Sequence, residues 1–340
     1  MGKSILVVTH GMGEHTAAAL EKTVVDAANT TLKRYNSTKH INFEDHVDVF
    51  PIAYNHIFDE ERKRIEASAQ SIGNYFKGQL PNKFIAEIVN FESNVGKDTF
   101  FNTHILDVIL YAGLHGEKVR LHLAAEFAKV LVHRTSGRRL HVMAHSLGTI
   151  AMHDMLAKTY GDTGAKIPPR NKIDSLWMIS NASYLFFKVN EKLLKTGIDP
   201  FSTIVKPSRG DAGCVTDYYN VFNKFDPLTW FLPFNPDVDK NWVDPVTLEK
   251  NFHSLRTKQL FSTKNPHSLE EYLKNPTVSA QFLYRIMPEE GFPIDVEELM
   301  AVNGKIKPKL GALPGKGGHS VENLKDLFDL LKTYKDFFSE

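Results

Sequence analysis

Short runs of consecutive apolar residues alternate along this chain with longer stretches in which apolar residues recur every three or four positions. Ser4 to Thr9 is the first such run, apolar on successive residues as a strand covered on both faces must be. A polar loop, His10-Gly11-Met12-Gly13, leads into a helical pattern over about Thr16 to Tyr35. Val47 to Tyr54 reads as a second strand, with Pro51 expected to end or bulge it. The charged run Asp59 to Arg64 opens a helical region, interrupted at Gly78 and Pro81, that continues to about Phe101. Glu117 to His133 is an amphipathic helix with Val119, Leu123, Phe127, Val130 and Leu131 on one stripe. Leu140 to Met143 is again short and apolar, and beyond Ser146 helical spacing returns at Ile150, Ala151, Asp154, Met155 and Lys158. Later strands are expected at Ile173 to Ser180, Asp217 to Asn223 and Phe252 to Leu260, the last followed by one helix from Leu269 to Ile286. Strands alternating with helices predict an α/β fold, a mostly parallel sheet covered by helices on both faces. Residues 1–286 form the expected core, with a helical insertion at about 56–105 that is either a lid or decoration; residues 287–340 form an extension ending in a helix.

Composition narrows the class without naming a chemistry. The 340 residues include 42% hydrophobic and 24% charged residues and carry a formal net charge of +1, which gives no general attraction for nucleic acid. Cys214 is the single cysteine, so no intrachain disulfide can form. The apolar run at Ile5 to Val8 is too short for an export signal, Leu6 stands where a myristoylation motif needs Ser or Thr, and no stretch is long enough to span a bilayer. Cytoplasmic is the default expectation, with at most transient contact at a lipid surface. The Asn-x-Ser/Thr triplets at Asn29, Asn36 and Asn181 carry no meaning without export.

The most specific local signal is Ala144-His145-Ser146-Leu147-Gly148, lying between a predicted strand and a predicted helix. A sharp turn from strand to helix leaves a serine Oγ exposed when small residues two before and two after it let the backbone close. Ala144 and Gly148 are those residues. A serine hydroxyl alone is a weak nucleophile, so the pattern needs a base, an orienting acid and donors for a developing oxyanion. Otherwise Ser146 is an ordinary turn serine.

Together, the His10-Gly11-Met12-Gly13 loop, the turn at Ser146, Asp226-Pro227 after a later strand and His267 after the last one resemble the α/β-hydrolase superfamily, nearest its lipase and esterase branch. The chain order Ser, Asp, His is that of the superfamily. The resemblance covers most of residues 4 to 286. It implies about six core strands, the two leading strands of the full fold being absent. It also implies a serine esterase with Ser146 as nucleophile, Asp226 as acid and His267 as base. Backbone N–H groups of Leu147 and Met12 would form the oxyanion hole, and His10, Gly11 and His145 would shape the substrate site. Ala144 departs from the usual first glycine of the pentapeptide, as it does in some lipases. Asp217 and Asp244 compete as the acid; Asp217 lies at the start of its strand, whereas ligands gather at the carboxyl ends. His319, in a glycine-rich loop before the final helix, competes with His267. The substrate would be a small-molecule or lipid ester; amide, thioester or phospholipid cleavage, and a non-catalytic binding protein of the same fold, are the alternatives.

No cofactor or metal is expected. Gly311 to Gly317 has the wrong spacing for a phosphate loop and lacks the Ser or Thr after lysine, and no His-Glu-x-x-His or paired cysteines occur. His145 and His153 read most simply as packing residues. The cluster Leu228 to Phe234 is expected to line an acyl pocket or to pack inward as core.

Overall fold

The computed structural model describes residues 2–11, 16–68, 74, 77, 110–135, 137–161, 172–184, 186–187, 201–224, 226, 229, 233–257, 267–287, 298 and 301–302. Strands β1 (Ser4–His10), β2 (Val47–Ile52), β3 (Leu140–His145), β4 (Ile173–Ile179), β5 (Val215–Asn223) and β6 (Phe252–Thr257) form one six-stranded sheet in the order β2-β1-β3-β4-β5-β6, every neighbouring pair parallel. Helices α1 (Ala17–Leu32), α2 (His56–Ser68), α3 (Gly116–Leu131), α4 (Leu147–Gly161), α5 (Pro245–Asn251), α6 (Leu269–Lys274) and α7 (Pro276–Ile286) supply the connections among the described residues.

The continuous apolar runs are explained by two cores, one on each face. Ile5, Val7, Val142, Ala144, Leu176, Met178 and Tyr218 pack with α3 and α4. The alternate residues Leu6, Val8, Met143, Trp177, Ile179, Tyr219 and Val221 pack with α1, α6 and α7. A strand with apolar partners above and below has no polar face to show. Residues Leu147 to Leu156 of α4 are all buried.

Two local expectations are corrected. β2 runs through Pro51 to Ile52, pairing Pro51 with Val8, because β2 is an edge strand where the missing N–H removes no bond to a further neighbour. The single helix expected from Leu269 to Ile286 is two. Asn275 is held at φ −67°, ψ 125°, the extended conformation a following proline imposes, and its side chain accepts a hydrogen bond from the Thr277 N–H to cap α7. The stretch 56–105 is described as a helix only over α2, and nearly all of the rest lies outside the described residues, as do Lys258 to Leu260 and most of 287–340.

Candidate active site

The order of the strands places the site. From β1 the chain crosses outward to β2 and then returns past β1 to β3, after which every crossover runs the other way. At such a reversal the loops leaving two neighbouring strands diverge, and a crevice opens at their carboxyl ends. The loops concerned are His10-Gly11 after β1 and Ser146 after β3.

Ser146 has φ +59°, a left-handed conformation that costs a residue with a Cβ about 1–3 kcal/mol. Surrounding contacts hold it there. Its N–H donates to the Ile179 carbonyl at 3.0 Å, and its carbonyl accepts from the Thr149 N–H at 2.9 Å and the Thr149 hydroxyl at 2.6 Å. Thr149 Oγ1 in turn accepts from the Ala182 N–H at 3.1 Å, tying the turn to the segment after β4. Gly11 is pressed against the start of α4: a Cβ there would lie 2.2 Å from the Gly148 nitrogen and 2.3 Å from that of Leu147. No side chain fits, so the first loop and the amide of Leu147 meet only because residue 11 is glycine. The buried Tyr54 hydroxyl holds the Gly11 carbonyl at 3.2 Å.

Three residues far apart in sequence converge at this turn. His267 Nε2 lies 2.9 Å from Ser146 Oγ, and its Nδ1 lies 3.0 and 3.1 Å from the two carboxylate oxygens of Asp226. All three are buried, Ser146 and Asp226 fully. Ser180 Oγ and the Tyr272 hydroxyl each donate to Asp226 Oδ2 at 2.6 Å. Burial by itself pushes the Asp226 carboxyl toward its neutral form. The facing His267 and the hydrogen bonds from His267, Ser180 and Tyr272 outweigh that and hold it below the usual carboxylate value. The carboxylate therefore fixes the Nδ1–H tautomer and leaves Nε2 as the acceptor that faces Ser146 Oγ. Burial first, and then the neighbouring Asp226 charge, push the Tyr272 phenol well above its ordinary value, so it stays a donor.

Compared with models of known protein families and with curated proteins, the chain matches none.

The competing acids lie elsewhere. Asp217, at the amino end of β5, pairs with Arg285 and accepts from Asn251 Nδ2 at 3.0 Å. Asp244 is the N-cap of α5, accepting from the Thr247 N–H at 3.0 Å. His10, His145 and His267 form a row of rings: His145 is 4.6 Å from His10 on one side and 4.8 Å from His267 on the other. His145 is buried and packed against His267. His153 is buried on α4 beside Asp154. Met12 and His319 lie outside the described residues, as do Trp230, Phe231 and Leu232 of the aromatic cluster. Phe234 of that cluster packs inward against Tyr218 and Trp242. Asn181 is buried and bonded to Tyr218 and Asn220, so its glycosylation triplet is inaccessible in the folded chain.

Ser180, Tyr272 and Thr149 escape a reading of the sequence. Ser180 had one available signal, its place immediately after an apolar strand on the same edge as Ser146. Tyr272 and Thr149 sit in helices with nothing local to mark them. Among the described residues no group of three or more His, Cys, Asp or Glu could hold a metal ion, and no helix is long and apolar enough to cross a membrane.

Proposed function

We propose that the protein is a serine hydrolase of the α/β-hydrolase fold that cleaves a carboxylic ester through an acyl-enzyme on Ser146. The observation that carries the proposal is the buried chain Ser146 Oγ to His267 Nε2 and His267 Nδ1 to Asp226, on a strained turn at the point where the strand order reverses.

The steps follow from these atoms. Ser146 Oγ attacks the ester carbonyl while its proton passes to Nε2, and Asp226 stabilises the imidazolium through Nδ1–H. The oxyanion takes hydrogen bonds from the N–H of Leu147, at the positive end of α4, and of Met12; losing one such donor costs about 3 to 4 kcal/mol in the transition state. The tetrahedral intermediate collapses, the carbon–oxygen bond to the alcohol breaks, and Nε2–H protonates the leaving oxygen. Water then gives a proton to Nε2 and attacks the acyl carbon. The acid departs and Ser146 regains its proton.

A fluorophosphonate probe and a panel of p-nitrophenyl esters of graded acyl length test this. Wild type should be labelled and should turn over at least one ester, and Ser146→Ala should do neither. Equal labelling of both would move the nucleophile. Absence of labelling and turnover in wild type would favour a protein of this fold that only binds.

A further inference from the structure

Two non-glycine residues among those described have positive φ: Ser146 at +59° and Ser180 at +50°. They occupy equivalent places, each the first residue beyond one of the neighbouring parallel strands β3 and β4, and each donates its N–H to a carbonyl of the next strand in the sheet: Ser146 to Ile179 at 3.0 Å, Ser180 to Val221 at 2.8 Å. Their hydroxyls address opposite sides of one imidazole. Ser146 Oγ is 2.9 Å from Nε2 of His267, and Ser180 Oγ is 3.2 Å from Nδ1. Strain at an ordinary turn is removed by substitution with glycine or asparagine, so a second strained serine facing the same ring points to use of its hydroxyl.

That hydroxyl and the Tyr272 phenol both donate to one oxygen, Oδ2 of Asp226, at 2.6 Å each. Tyr272 is itself fixed by the Asn223 N–H, which donates to its oxygen at 3.0 Å. A carboxylate sharing its charge with two further donors is a weaker acceptor for the imidazolium opposite it. We infer that Ser180 and Tyr272 are positioning residues that act through Asp226, drawing off part of its charge so that His267 is less basic than an unshared carboxylate would make it. The advantage for a general base is direct: an imidazole held too basic is protonated, and idle, at neutral pH. This rests on the reading of His267 as the base of Ser146. Among the described residues the titratable ring packed against His267 is His145, with His10 and Tyr272 each packed against His145. His10 and His145 are untouched by the variants below.

The test is the titration of His267 followed by NMR on histidine-labelled protein, in wild type, Ser180→Ala and Tyr272→Phe, the His267 signal being identified by its loss in His267→Gln. Each variant leaves the other donor in place. Each should raise the midpoint by up to about one pH unit, a tenfold gain in proton affinity, and the acid limb of kcat/KM for the best ester should move up with it. A residue that merely held the carboxylate would, on removal, loosen the pair and move the midpoint down. An unchanged or lowered midpoint in both variants overturns the inference. Ser180→Gly, which takes φ +50° without strain and also lacks Oγ, keeps the question open to decision if Ser180→Ala folds poorly. The NMR midpoint needs no turnover, so a failure of ester hydrolysis would sink the hydrolase reading while the titration still decides this one.

Discussion

Each residue of the site is held by a reason that a substitution can expose. Asp226→Asn keeps the shape of the carboxylate but offers Nδ1 the wrong partner, so kcat for ester turnover should fall by about four orders of magnitude with folding little changed; a loss of about tenfold or less would move the acid elsewhere. His267→Ala should lower turnover far more than His319→Ala, and the reverse ranking would transfer the base to His319. Gly11→Ala would drive a methyl into the backbone of Leu147 and Gly148. It should cost stability, read as a lower Tm, and a larger share of kcat than of KM if the displaced amide is the oxyanion donor proposed above. Ser146 and Asp226 were legible in the sequence because each follows a predicted strand closely, whereas only its place after the last predicted strand favours His267 over His319. Asp226 could be preferred over Asp217 on strand direction alone. Ser180 was hidden because a serine ending a strand is common, and only its φ and its distances to His267 and Asp226 distinguish it.

At the scale of elements, one hydroxyl ties the turn to the segment after β4, beside the bond from the Ser146 N–H to the Ile179 carbonyl. Thr149 Oγ1 donates to the Ser146 carbonyl and accepts from the Ala182 N–H, both inside the protein. Thr149→Val keeps the volume and strands the buried Ala182 N–H, while the Ser146 carbonyl keeps its bond from the Thr149 N–H; it should cost about 1–3 kcal/mol in chemical unfolding, and a cost near zero would mean that the turn is held by its other contacts. The break between α6 and α7 works through a different cap. Asn275→Ala removes the acceptor for the Thr277 N–H and should destabilise by about 1 kcal/mol. Periodicity found the strands and most helices to within a few residues, since burial of two faces or of one stripe leaves its mark on residue type. It merged α6 with α7 because Asn275-Pro276 leaves the apolar period undisturbed on either side. It expected a break at Pro51 because a sequence does not say which strand is at an edge.

Across the whole molecule, two buried groups make acid unfolding directional. His141, fully buried in β3, has Nδ1 2.7 Å from Ser175 Oγ. Burial, with Arg139, Arg285 and Arg134 nearby, pushes it well below 6.5. The unfolded chain therefore binds a proton there that the folded chain refuses, so stability present above about pH 6.5 is lost as pH falls toward the folded value. Asp226, also lowered, adds its loss only below the ordinary carboxylate value of 3.8. Tm should fall between about pH 7 and about pH 5, and less steeply in His141→Gln, which keeps a polar contact without a titrating group; equal slopes would assign the loss to other histidines. Sequence alone determined the α/β class, the strand-turn-helix around Ser146 and the chain order of the three candidate residues, because those follow from local periodicity and from which residues can end a strand. Only the tertiary structure decided that β1 and β3 are neighbours at the reversal of the sheet, that residues 146, 226 and 267 meet within hydrogen-bond distance, and that Ser180 and Tyr272 share the same carboxylate. Strand order is set by how helices of given length and apolar face cover the two sides of the sheet, an outcome of packing that no single stretch of sequence records.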